Sequence, residues 1–294
     1  MSANQADKGR KFRELHRLPA ERGTAAKPEP PGAFIIANPW DAGSARILSG
    51  LGFEALATTS SGYAMSLGRV DGSVTREEAL EHAQSIVNAT DLPVSADLEN
   101  CFGDNPQTVA ETIRLAARTG LVGGSVEDFS GDSQHPIYEF AFAVERVAAA
   151  AEAARDLPFP FTLMARSENF LHGRADLDDT IRRLQAFANA GADVLFAPGL
   201  PNLEAIRTVC AAVAPHPVNV LAGIKGLAFP VAELAAAGVR RISIGGSLAR
   251  FAYGSFLAAA REVLQTGRFA YVDRLMPRKD MDSSMMDKKP AGME

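Results

Sequence analysis

The chain has 294 residues, 47% of them hydrophobic and 22% charged, with a net charge of −5. This is an ordinary composition for a globular enzyme, and it gives no electrostatic case for nucleic acid binding. No apolar run is long enough to span a bilayer, and residues 1–27 lack the apolar core of a signal peptide. The only cysteines, Cys101 and Cys210, argue against a disulfide framework, so a reducing compartment, the cytoplasm, is expected.

In chain order, residues 1–31 form a polar extension rich in charge, Pro and Gly, with one helical patch around Phe12–His16. They are expected to be mobile or to make subunit contacts. Residues 32–267 then alternate between two patterns. Short β-branched or apolar runs occur at 33–37, 55–59, 94–97, 123–127, 161–166, 194–197, 218–222 and 241–245. Amphipathic, alanine-rich helical patterns follow them at 42–51, 76–88, 106–118, 138–154, 176–190, 202–213, 230–237 and 247–265. Buried strands alternating with such helices predict parallel βα units, and roughly eight units in about 250 residues predict a (β/α)₈ TIM barrel. A doubly wound open sheet is the alternative, weakened because no Gly-x-Gly-x-x-Gly turn follows the first strand. Gly52, Gly120, Gly191 and Gly238 each follow a helix and fit the left-handed C-cap position. Residues 268–294 read as a polar tail.

In a barrel, functional groups collect at the C-terminal ends of the strands. The third strand runs into Asp97 and Glu99, which strand alternation places on one face. Two neighbouring carboxylates repel unless a cation or proton separates them, so a Mg²⁺ site is one reading and a solvated strand end the other. Glu127 closes the fourth strand and Arg166 the fifth. Arg166 could clamp a substrate carboxylate or pair with these acids. The first strand leads to Trp40 and Asp41, and Asp41 also suits an N-cap. Ser61 and Gly62 follow the second strand, and Asn219 lies on the seventh, which continues toward Lys225. His135 sits in a polar loop, where a lone histidine is more often solvated than catalytic. Cys101 follows the acids, but Mg²⁺ does not choose thiolates; Cys210 reads as packing.

Together these segments resemble the isocitrate lyase/phosphoenolpyruvate mutase superfamily over about residues 33–265. The matching pieces are Asn38-Pro39-Trp40-Asp41-Ala42-Gly43, Thr59-Ser60-Ser61-Gly62, Leu67-Gly68-Arg69-Val70-Asp71, Asp97-Leu98-Glu99-Asn100-Cys101-Phe102-Gly103, Val126-Glu127-Asp128 and Ala165-Arg166-Ser167-Glu168. The resemblance implies a barrel that binds Mg²⁺ (or Mn²⁺) and a small 2-oxo acid. It implies Asp97, Glu99 and Glu127 as metal-site acids, partly through waters, and Asp71 as an active-site aspartate. It further implies Arg166, Ser61 and Gly62 as holders of the substrate carboxylate; Trp40 and Asn219, at strand ends that converge on the same mouth, are expected to bind substrate beside them. Dimers or tetramers that exchange a C-terminal helix are expected.

Three positions depart from the family pattern. Glu99 stands where Asp is usual, and Cys101 where Gly is usual. The loop 128–136 lacks the Lys-Lys/Arg-Cys-Gly-His motif of the true lyases. His135, Tyr63 or a metal-bound water is then left as the proton donor. The expected activity is a Mg²⁺-dependent carbon–carbon lyase or decarboxylase acting on a small 2-oxo or 2-hydroxy di- or tricarboxylate through an enolate. The alternatives are a phosphonate-active mutase or hydrolase, and a non-catalytic 2-oxo acid binder.

Overall fold

The computed structural model describes residues 4–17, 32–224 and 228–286. Eight parallel strands form one sheet: β1 (Phe34–Ile36), β2 (Leu56–Ala57), β3 (Val94–Ala96), β4 (Gly123–Glu127), β5 (Thr162–Arg166), β6 (Val194–Phe196), β7 (Val218–Leu221) and β8 (Arg241–Ser243). β1 pairs with β8, and the order then runs back to β2. The seam between β1 and β2 closes by a single parallel bridge, Ala37 to Leu56. Asn38 reinforces that seam. Its Nδ2 donates to the Thr58 carbonyl at 3.0 Å, while its Oδ1 accepts from the backbone N–H groups of Ile244 and Gly245 at 2.9 and 2.8 Å. The expected TIM barrel is therefore present, and the open-sheet alternative falls because β1 and β2 meet.

Helices α2 (Ala42–Leu51), α4 (Arg76–Asn88), α5 (Pro106–Arg118), α6 (Phe140–Arg155), α7 (Leu177–Ala190), α8 (Leu203–Ala212) and α9 (Val231–Ala236) cross between the strands, with the short α3 (Ser60–Ser66) following β2. All of these except α6 and α9 start on a side-chain N-cap. Asp41 and Ser44 form a reciprocal capping box at α2, so Asp41 serves as an N-cap. Gly52 and Gly191 end α2 and α7 at φ 95° and 110°, where a side chain would be strained. The helix expected from 138 begins two residues later, because Ile137 pairs with Phe129 across the preceding loop. α3 lies between the second strand run and the helical pattern at 76–88, where no element is expected; it is too short for helical periodicity to show. Thr59 starts it by accepting from the Gly62 N–H at 3.3 Å.

Two segments lie outside the regular alternation of strands and crossover helices. α1 (Gln5–Leu15) inserts Phe12, which is fully buried, among Phe34, Ile36, Ala55, Ala57 and Val122. It thereby plugs the N-terminal floor of the barrel. At the other end α10 (Ser247–Thr266) buries only Ala249, leaving Phe251 76% and Phe256 70% exposed. The chain continues through a 3₁₀ turn (Ala270–Arg274) to α11 (Arg278–Met285), which returns to α2. Lys225 and the residues beyond 286 lie outside the described residues.

Replacing Phe12 with Ala should leave a cavity under the barrel and lower stability by about 3–5 kcal/mol. Urea unfolding checks this, and an unchanged midpoint would show that α1 does not support the floor.

Candidate active site at the barrel mouth

The site is built on Arg166, the last residue of β5. Strand pairing sets Arg166 level with Glu127 on β4 and Phe196 on β6. All three side chains therefore face the same side of the sheet. The guanidinium meets three carboxylates: Nη1 to Asp97 at 2.8 Å, Nη2 to Glu127 at 3.1 Å and Nε to Glu168 at 2.7 Å. Glu168 is buried, and its backbone N–H donates to Asp128 at 2.7 Å. Asp128 in turn pairs with the buried Arg183 at 3.2 Å, and Arg183 with Asp179 at 2.8 Å. This chain of charges behind the site locks Glu168, and through it Arg166. Glu168 was visible in the sequence as part of Arg-x-Glu, but nothing there marked it as a partner of Arg166.

Asp97 does not lie within β3. Its N–H leaves the strand ladder and donates to Thr58 Oγ1 at 3.0 Å. Its carboxylate accepts from Ser60 at 3.1 Å and Ser125 at 3.4 Å. The backbone then turns tightly. Glu99, Cys101 and Phe102 all have left-handed φ values, 50°, 62° and 60°. The alternation argument for Asp97 and Glu99 thus fails, because the strand ends at Ala96 before either acid. Three non-glycine residues in this region cost energy, and the loop needs outside support. Buried Arg146 on α6 provides it by donating to the carbonyls of Asn100, Gly103 and Asp104. Thr112 Oγ1 adds a bond to the Cys101 carbonyl at 2.9 Å.

Two adjacent cavities share these groups. A small one of about 190 Å³ is lined by Asp71, Asp97, Arg166, Ser60, Ser61 and Arg241 among others. Glu99 and Glu127 line a neighbouring cleft of about 590 Å³. Burial, with Asp97 and Asp71 nearby, pushes the Glu99 carboxyl up to about 7. Burial also raises Glu127 well above the usual range, against the pull of Arg166.

Other expected residues stand back from this centre. Trp40 is half-buried; its carbonyl accepts from His82, and its Cβ packs so close to Gly62 that an added Cβ there would sit 3.0 Å away. The Gly62 N–H is already engaged by Thr59. Asn219 is buried below the mouth, donating to Ser243 Oγ at 3.0 Å. His135 is not brought to the acids. Its side chain is 88% exposed, beside Asp132 at 3.3 Å, on a separate cleft. Tyr63 stacks on His82 with ring centroids 3.8 Å apart. Cys101 and Cys210 are both buried and free.

A model of the phosphoenolpyruvate phosphomutase family matches residues 26–264. The chain belongs to this family. A solved structure from Burkholderia cenocepacia J2315, named only to the level of lyase/mutase, is 54% identical and superposes with a TM-score of 0.88, covering 95% of each chain. A second from the same organism, named as a phosphonomutase, is 36% identical with a TM-score of 0.75, covering 90% of this chain and 100% of that one. A Corynebacterium glutamicum protein named probable 2-methylisocitrate lyase 2 is 29% identical over 274 residues, 89% of this chain and 86% of its own. The family's members are lyases and mutases, and this chain carries their barrel.

For this family member, Arg166→Ala should strand the buried Glu127 and Glu168 and the partly buried Asp97 without a counter-charge and lower stability by roughly 3–5 kcal/mol. Equilibrium unfolding at pH 7 measures it; a loss below 1 kcal/mol would mean the acids relax into water.

Proposed function

We propose that the protein is a Mg²⁺-dependent carbon–carbon lyase or decarboxylase acting on a small 2-oxo or 2-hydroxy di- or tricarboxylate. The observation that carries this reading is the charge imbalance around Arg166. Asp97, Glu127 and Glu168 all contact that one guanidinium, with Asp71 and Glu99 close by. Oxygen donors in excess of positive charge suit a hard divalent cation.

The residues fit such an ion in a particular way. Among the described residues, no three His, Cys, Asp or Glu side chains converge as a closed cage. Mg²⁺ is commonly held by one or two carboxylates with the rest of its shell supplied by water and substrate. Asp97, with Glu99 and Glu127 through water, would hold it. When bound, the ion supplies Lewis-acid stabilisation of negative charge developing on the substrate oxygen.

The protein's own groups supply orientation. Arg166, fixed by Glu168, would hold a substrate carboxylate at the mouth. Ser61 lines the same cavity from α3, with Gly62 behind it allowing α3 to approach Trp40. Asp71 lines the cavity with Ser60 and would serve as an active-site aspartate beside the metal. His135 would reach the site only if its loop closed over the mouth. The loop from Phe129 to Ile137 carries neither the cationic run of the true lyases nor a Lys or Arg to receive a phosphonate dianion. The uncovered apolar face of α10 supports a homo-oligomer in which a second copy covers Phe251 and Phe256. No helix among the described residues is long and apolar enough to cross a membrane, and the free buried thiols support a cytoplasmic site of action.

With Mg²⁺ and oxaloacetate or a methylisocitrate-type acid, pyruvate should form. Asp97→Ala should cut that rate by roughly 100-fold or more and abolish Mg²⁺ binding in calorimetry. Full Mg²⁺ affinity in the variant would sink the metal assignment, and ligand-induced stabilisation without turnover would favour a binder. Phe256→Asp should shift the protein toward monomer in sedimentation velocity; an unchanged sedimentation coefficient would remove α10 from the interface.

A further inference from the structure

Arg241 opens β8, level with Asn219 on β7 and Phe34 on β1. Its side chain points into the barrel and is only 2% exposed. Its guanidinium lies 5.7 Å from the Phe12 ring below, and it lines the small cavity that holds Asp97 and Arg166 above. Among the described residues, its Nε and Nη1 have no hydrogen-bond partner. Beside it the buried Asn219 Oδ1 is also unpartnered, while Asn219 Nδ2 binds Ser243 Oγ, which faces the same cavity. A buried guanidinium without a counter-ion is costly, and burial pulls Arg241 down to about 9 despite Asp97. A hydrophobic side chain would serve the floor better if packing were its only task.

The two arginines of the cavity divide the work. Arg166 spends its Nε, Nη1 and Nη2 on three carboxylates. Arg241 keeps donors free in the planar fork that matches a carboxylate. We propose that Arg241, with Ser243 beside it, is a specificity residue that receives the second carboxylate of the substrate at the barrel floor. This rests on the 2-oxo acid reading above and narrows it to dicarboxylates small enough for a cavity of about 190 Å³.

The test compares wild type, Arg241→Met and Arg241→Lys by thermal shift and calorimetry, each with Mg²⁺ and with malonate, oxaloacetate or pyruvate. Without ligand, Arg241→Met should melt at or above wild type, because an uncompensated buried charge is removed. Its affinity for malonate and oxaloacetate should fall on the order of 30-fold or more, with pyruvate little changed. Arg241→Lys keeps the charge without the fork and should recover part of that loss. Equal losses for pyruvate and malonate would overturn the proposal. So would a lower melting temperature of ligand-free Arg241→Met that Arg241→Lys restores, since that marks a structural counter-ion of Asp97. Failure of wild type to bind any dicarboxylate would overturn it as well. Malonate has no ketone, so its binding does not depend on the reaction. Malonate held through Arg241 without oxaloacetate turnover would retain the subsite and reject the lyase reading. Equal oxaloacetate cleavage by wild type and Arg241→Met would do the reverse.

Discussion

The mouth of this barrel is organised by one guanidinium shared among three acids. Arg166 joins the ends of β3, β4 and β5 by contacting Asp97, Glu127 and Glu168 at once. Because burial weakens solvent screening, these contacts fix each carboxylate against its neighbours. They also set the electrostatics of the site. The acids outnumber the positive charge beside them.

That arrangement needs support from two directions. Behind it, Asp128, Arg183 and Asp179 form a buried charge chain that holds Glu168 through a backbone bond. Beside it, Arg146 and Thr112 hold the left-handed turn from Glu99 to Phe102 through its carbonyl oxygens. Local strain near a functional centre persists only where the surroundings over-determine it. Here a fully buried arginine on α6 supplies that constraint, which links the packing of the helical shell to the placement of Glu99.

The interior of the barrel is graded from apolar to charged. Phe12 closes the floor among Phe34, Ile36, Ala55 and Ala57. Arg241 and Asn219 come next, and the acids with Arg166 form the mouth. A TIM barrel core is ordinarily filled by branched apolar side chains. The polar middle layer in this chain is therefore a departure that packing alone does not require.

Much of this was legible in the residues themselves. The eight strand runs and the amphipathic helices between them carry the barrel, because burial on both faces of a parallel sheet leaves a plain hydrophobic signature. Asp97, Glu127 and Arg166 were legible as polar ends of such runs, and Asp41 as a cap. Several matters were decided only by tertiary structure. The turn at Glu99 departs from strand alternation because side chains distant in sequence, Arg146 above all, hold it. α1 joins the floor because Phe12 finds an apolar ring made by three separate strands. Glu168 and Arg241 gain their meaning from partners, or from the lack of them, across the barrel. His135 stands apart because its loop folds onto itself, through Ser130 and Asp132, rather than onto the mouth. Sequence pattern determines which faces are buried; which charges meet inside depends on the closure of the sheet, and no local pattern encodes that.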